Sequence, residues 1–363
     1  MKLRHIARQK GLSLVETMIA LTLGAIVTVG VVQLFVANSE TYNLLQGQSR
    51  MQESARFALD FISRNVQLAG YKGCYSRNDD PHTTLETDNH VPYEYNIRQG
   101  LEAYDGQAGG GWLPDVTAIP GTPIDTTDIV PKTDILTIRR SASNEVKLVE
   151  GTMSTSTEPA VLNGKFDDEF AVDDLALIHD CEKSTVFRIT AVSYNNGSNQ
   201  TTIGHDTNDT DPIRNALEKL AEVNTYDKNA YVSNIETNIF FIQPGTGKNN
   251  QGDAPLSLWM QQGTAAPVEL VEGVENLDVF FGEDTDNDGT PNVYARANEV
   301  DMANVVTVEI NIVVNSVDDV GATSSPTHGC IADGGQQPCL NGVSYDGLIR
   351  RSFTQTVELR NQG

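Results

Sequence analysis

The chain is poor in positive charge. Against 49 Asp and Glu stand only 25 Lys and Arg, a formal net charge of −24 at pH 7. Binding to nucleic acid needs basic groups that neutralise phosphates, so direct nucleic-acid binding is not expected, and the acidity fits a soluble extracytoplasmic domain. His82, His90, His179, His205 and His328 show no metal-ligand spacing, and no Walker loop, nucleophile elbow or zinc signature is present. An enzyme is therefore the least favoured class. Two further absences are local. No proline occurs from Leu12 to Ala69, and no charged residue from Thr17 to Ser39. The first removes the commonest helix breaker. The second leaves a run that water solvates poorly. No internal repeat is visible.

What fills the uncharged run is apolar: Met18-Ile19-Ala20-Leu21, Ala25-Ile26-Val27 and Leu34-Phe35-Val36-Ala37. About 20 such residues cross a bilayer as a helix, which satisfies every backbone group internally. Lys2, Arg4, Arg8 and Lys10 precede it. The positive-inside rule then keeps the N-terminus in the cytoplasm and sends the rest to the periplasm or beyond. A cleaved secretory signal is the ordinary alternative. The apolar run is longer than its hydrophobic region, however, and Asn38-Ser39-Glu40 leads on into more helix.

One carboxylate, Glu16, lies at the start of this segment, five residues after Gly11. At a helix centre in lipid such a group costs about 2.5–3.5 kcal/mol on insertion scales, and less near an end. Intramembrane carboxylates are functional by default. The structural alternative is an interfacial Glu whose head reaches water.

Beyond the membrane, Met51, Ala55, Ala58, Ile62, Val66 and Ala69 recur at three- and four-residue steps, with Gln52, Glu53, Arg56, Asp60 and Arg64 on the other face. Gly70 is a stop signal. A helix from Leu12 to Ala69 would be about 87 Å long at 1.5 Å per residue, its first half in lipid and its second half packed by its apolar stripe on a sheet. Residues 75–130 read as loop. Strands are expected at Ile135–Arg139, Val146–Val149, Leu175–Asp180, Val186–Val192, Ile239–Ile242, Leu256–Met260, Val268–Val271, Leu277–Phe281, Val305–Val314 and Phe353–Leu359. Asn196-Gly197-Ser198 marks a hairpin turn rather than a glycosylation site. The fold class is α+β: a long N-terminal transmembrane and amphipathic helix on an antiparallel β domain. The expected organisation is 1–11 leader, 12–37 transmembrane helix, 38–70 amphipathic continuation and 71–363 β-rich globular domain.

The basic leader ending in Gly11, followed by Leu12-Ser-Leu-Val-Glu16 and the apolar helix, resembles the class III signal of type IV pilins and pseudopilins. Further pieces are similar to the PilW family of minor pilins: Leu68-Ala-Gly-Tyr-Lys-Gly-Cys74, Asp180-Cys181, Leu270-Val-Glu-Gly-Val-Glu-Asn-Leu277 and the closing run from Arg350 to Asn361. The resemblance covers the ends well and the middle thinly. Unlike many major pilins, the chain has no proline in its transmembrane helix, and it is much longer; both departures favour a low-abundance subunit. The resemblance implies cleavage between Gly11 and Leu12 by a prepilin peptidase, N-methylation of Leu12, and pairing of Glu16 with the cationic N-terminus of a neighbouring subunit. Cleavage would remove four basic residues and no acidic one, leaving −28. It also implies storage in the inner membrane. Co-assembly would follow with other minor pilins and the major pilin, with a large tip adhesin as a further partner, to prime the pilus and sit at or near its tip. The same signal fits a minor pseudopilin of a type II secretion system. An anchored adhesin or DNA-uptake module remains a rival of another class.

Cys74, Cys181, Cys330 and Cys339 are an even set in an extracytoplasmic domain and imply two disulfides out of three possible connectivities. Cys74–Cys181 and Cys330–Cys339 are favoured, the latter for its short loop rich in Gly and Pro. Finally, Asp284-Thr-Asp286-Asn-Asp288-Gly-Thr290-Pro-Asn292 sets carboxylates at alternate positions before a glycine, as a calcium loop needs so that oxygens converge on one ion. Thr290 would add its carbonyl, and Asn292 would stand at the ninth position. The twelfth is Ala295, not the bidentate Glu of an EF-hand. The structural alternative is an acidic turn after a strand; Asp206, Asp209 and Asp211 are best read as a solvated loop.

Overall fold

The computed structural model describes residues 13–74, 81–85, 92–119, 121–150, 158–206, 214–216, 226–322 and 347–360. One helix, Leu14–Gln67, runs unbroken across the boundary between the apolar and amphipathic halves. Ser13 opens it: its side-chain oxygen accepts the Glu16 amide at 3.2 Å, and Glu16 lies three residues on, the Ser-x-x-Glu spacing of a helix start. The hydroxyls of Thr22, Thr28 and Thr41 donate to carbonyls one turn back, each at 2.8 Å, so these polar groups are satisfied inside the helix. No side chain from residue 14 to 46 is buried, and the segment is long and apolar enough to cross a membrane. From Gly47 onward the helix changes character. Met51, Ala55, Ala58, Leu59, Ile62, Ser63 and Val66 are buried, the three- and four-residue spacing that puts one stripe against a core.

That stripe packs on a four-stranded antiparallel sheet, ordered Val293–Ala295, Val274–Glu283, Val305–Asn315, Arg350–Glu358. Val308, Ile310, Ile312 and Val314 are fully buried on its inner face. Each such side chain contributes about 1.5–3 kcal/mol on burial. The same cluster takes in Leu136 and Ile138 of the larger, ten-stranded sheet, so one core joins helix and both sheets. Tyr231–Pro244 is the spine of the larger sheet. Its first part pairs with Leu175–His179 and Val146–Lys147, its second with Ile135–Ser141 and Leu256–Gln262. A third sheet of Ala160–Asn163, Gln200–Gly204 and Ala191–Asn195 carries the expected hairpin turn through residues 196–199. The molecule is α+β.

Three expectations need correction. Residues 75–130 are not all loop: Leu101–Gly106 pairs with Ile135–Ser141 and buries Leu101, Ala103 and Tyr104. The six-residue strand lies between glycines and polar turns that mask its pattern. Val186–Val192 is not one strand. The chain breaks after Arg188, where Asp174 takes the Ile189 amide, and resumes at Ala191 in another sheet. Ala160–Asn163 and Gln200–Gly204 were not expected, since short strands of mixed Thr, Gln and Asn carry a weak signal.

Candidate functional site

At the helix exit, each small residue has a steric reason. Gly70 has φ +68° and donates to the Arg139 carbonyl at 2.9 Å; Ser141 donates to the Tyr71 carbonyl at 2.7 Å. The chain leaving the helix thus lies along the end of strand Ile135–Ser141. Gly73, with φ +79°, is pressed on the ring of His179, where an added Cβ would stand 2.1 Å from Cε1. His179 is 1% exposed and stacks on Tyr231 at 5.9 Å between centroids, with Glu145 Oε1 3.4 Å from its Nε2. Burial lowers its pKa against the pull of Glu145. His179 is a packed core residue. Next to it, Cys74 and Cys181 are bonded, with their Cα atoms 4.8 Å apart, tying the helix exit to the strand turn 180–183. This matches the expected first pairing. Cys330 and Cys339 lie outside the described residues, as do His90, His328, Asp209 and Asp211.

At the other end of the molecule, Gly11 and Leu12 also lie outside the described residues. Glu16 falls in the first helical turn, where the N-terminal dipole favours a carboxylate. Around it Leu14, Val15, Met18 and Ile19 are all more than half exposed. From Leu14 to Ser39 it is the one anion on an apolar stretch, and its carboxylate meets no cation among the described residues. The role of Ser13 as its cap was readable from the Ser-x-x-Glu spacing and went unread.

The loop 284–292 joins strand Val274–Glu283 to Val293–Ala295. One oxygen each from Asp284, Asp286 and Asp288 lie within 4.8 Å of one another. Asp284 is the buried member, 6% exposed. Its Oδ1 accepts the Asp286 amide at 3.2 Å and the Asp288 amide at 3.3 Å, and its Oδ2 the Gly289 amide at 2.7 Å. Desolvation raises its pKa, but these amide donors outweigh that and hold the carboxyl below the usual range. Asn287 and Gly289 take positive φ, 59° and 87°, to wrap the loop around it. Thr290 spends its amide on Asp288, at 2.8 Å, and Asn292 Oδ1 accepts the Thr285 amide at 2.7 Å. The structure therefore brings the three acids together and leaves Asp286 and Asp288 facing solvent. The Asn292 side chain is committed to Thr285.

Two family models match the chain. One, described as type IV pilus-assembly protein W, covers residues 239–361, from the second part of the spine strand through the four-stranded sheet. The other, the prokaryotic N-terminal methylation motif, covers residues 6–32. Among solved structures, a type IV-like pilin from Thermus thermophilus is matched at 16% identity, over 36% of this chain and 68% of its own, with a TM-score of 0.23. No curated protein matches.

Proposed function

Taking the chain as the type IV pilin of the PilW family that its two matched ends make it, we propose that it is a minor pilin. It waits in the inner membrane with its N-terminus in the cytoplasm and its β domain in the periplasm. A prepilin peptidase cuts between Gly11 and Leu12, and Leu12 is methylated. The mature chain then co-assembles with other minor pilins and the major pilin, primes polymerisation and sits at or near the pilus tip, next to a large adhesin. One observation carries this: the apolar half of Leu14–Gln67 is exposed all round, with a single carboxylate, Glu16, in its first turn. Lipid covers the apolar surface before assembly, and neighbouring helices cover it afterwards. Glu16 then finds the cationic N-terminus of the next subunit, and the pair leaves no lone buried charge.

The test is a clean deletion, scored in parallel for surface pili and for secreted exoprotein activity. Loss of pili and twitching with normal secretion supports the minor-pilin role. Loss of secretion with normal pili moves the chain to a type II secretion system.

We further propose that Asp284, Asp286 and Asp288 hold calcium, with the Thr290 carbonyl, and that the ion stiffens this loop at a subunit contact. Hard oxygen donors from three carboxylates suit calcium. With the Asn292 side chain occupied and Ala295 at the twelfth position, the site is an incomplete shell, and weak binding, about 10⁻⁴–10⁻³ M, is expected.

A further inference from the structure

Between the two larger sheets lies a buried cluster that the assembly role does not use. Arg296, just past Val293–Ala295, is 7% exposed. Its Nη1 lies 2.7 Å from Asp134 Oδ2 and 3.4 Å from Asp105 Oδ1, and its Nη2 3.3 Å from Asp278 Oδ1. The guanidinium also covers the ring of Phe280, at 4.1 Å from its centroid. Asp105 belongs to Leu101–Gly106 and Asp134 precedes Ile135–Ser141, both in the ten-stranded sheet. Asp278 belongs to Val274–Glu283 of the four-stranded sheet. Asp134 is itself a bridge between them: it is 2% exposed, its Oδ1 accepts the Gly106 amide at 2.9 Å, and its Oδ2 accepts the Val279 amide at 2.8 Å.

Other groups face the cluster. Asn276 Nδ2 donates to Asp278 Oδ2 at 2.6 Å, Gln107 Nε2 to Asp105 Oδ2 at 2.6 Å, and Glu299 Oε2 accepts the Arg296 amide at 3.4 Å. None of these adds positive charge. Three carboxylates thus share one guanidinium in a poorly solvated space. Like charges so placed do not all ionise together.

We propose that the Asp134–Asp278 pair, gathered with Asp105 around one guanidinium, retains one proton at neutral pH, and that this proton makes the junction of the two sheets a pH-sensitive latch. With the proton in place, one carboxyl is neutral and the remaining two exceed the charge of Arg296 by a single negative charge. When it leaves to solvent in alkali, the cage gains a second uncompensated negative charge and the sheets are pushed apart. The direction of titration agrees. Burial and the neighbouring Asp278 push Asp134 up to about 8 against the pull of Arg296, and burial also raises Asp278. The two titrate as a unit. For an acid raised on folding, the native state keeps a proton that the unfolded chain has released. Stability from the cage is therefore full in acid and falls as pH rises between the ordinary Asp range and about 8.

The test uses the full chain in detergent micelles. Infrared spectra near pH 7 report the carboxylic-acid C=O band, which ordinary exposed carboxyls, ionised at that pH, do not contribute. Wild type should show a band that Asp278→Asn loses, while Asp128→Asn, which removes an exposed charge, keeps it. The comparison also cancels any band common to all variants. In thermal melts, the drop in Tm from pH 6 to pH 9 should be smaller for Asp278→Asn than for Asp128→Asn. Asp105→Asn, at the more exposed corner of the cage, is the second variant if Asp278→Asn does not fold. A band unchanged by both cage variants, or absent from wild type, overturns the proposal. So does an equal pH dependence of Tm in cage and control variants.

Discussion

Gly70 and Gly100 meet with no room for a side chain: a Cβ on Gly100 would stand 2.3 Å from the Cα of Gly70. This contact sets the exit of the long helix against the start of Leu101–Gly106. It is held by the bond from the Gly70 amide to Arg139, whose own amide donates to the Gly100 carbonyl at 2.7 Å. Because the clash is with backbone, the neighbour cannot rotate away. Gly100→Ala should destabilise the chain by roughly 1–3 kcal/mol, the usual cost of overpacking, read as a lower urea midpoint with an unchanged slope. Gly73→Ala faces two penalties, a positive φ and the His179 ring, and should cost at least as much. A midpoint unchanged in both variants would show that the helix exit is not packed as described.

The disulfide makes a second claim on the same corner. Cys74 and Cys181 are separated by 107 residues in sequence, and closing so long a loop restricts the unfolded chain most. Replacing both with Ser should cost about 2–4 kcal/mol. The loss should appear in non-reducing conditions as a lower urea midpoint. A double variant as stable as wild type would mean that the Gly70–Arg139 and Ser141–Tyr71 bonds hold the exit without it.

The helix was readable because its evidence is local: the missing proline, the uncharged run and the apolar period all lie within one stretch, and the observed bounds Leu14–Gln67 fall within the expected ones. The strand Val305–Asn315 was readable for the same reason, since Val306, Val308, Ile310, Ile312 and Val314 alternate with Thr307, Glu309 and Asn311. Leu101–Gly106 was not. Its six residues become a strand through Ile135–Ser141, a partner distant in sequence. The candidate site divides in the same way. Asp284, Asp286 and Asp288 are close in sequence, and their convergence could be expected. The Arg296 cage is assembled from Asp105, Asp134 and Asp278, whose proximity depends on two sheets meeting, and no spacing announces it.

Calcium binding at 284–292 has a measurable consequence. A ligand that binds only the folded chain stabilises it by RT ln(1 + [L]/Kd), about 1.4 kcal/mol at ten times Kd. Millimolar calcium should therefore raise the Tm of wild type, and EDTA should reverse the shift. Asp286→Asn and Asp288→Asn are the informative variants, because both residues are exposed. They should keep the calcium-free Tm and lose the shift. Asp284→Asn would unravel the loop amides that its carboxylate gathers, so it tests folding rather than the ion. A wild-type Tm indifferent to calcium would leave Asp284 as the organiser of a tight turn.

Glu16 has two separable parts. Its backbone amide belongs to the helix cap, donating to Ser13 Oγ at 3.2 Å; its carboxylate is what the assembly proposal needs. Glu16→Gln keeps the amide, the side-chain length and a good residue for the third helical position, and removes only the charge. Glu16→Val also removes the polar head. Both variants should still be cut between Gly11 and Leu12, as N-terminal mass spectrometry of membrane fractions would show, because neither residue of the cut is changed. Both should be strongly depleted from sheared pili while remaining abundant in the membrane, since an uncompensated N-terminal cation from a neighbour then has to be buried. If Glu16→Gln is incorporated normally and Glu16→Val is not, a hydrogen bond rather than an ion pair joins the subunits. If both are incorporated normally, the carboxylate serves only the start of the helix, and burial of the apolar surface around it is enough to assemble the chain.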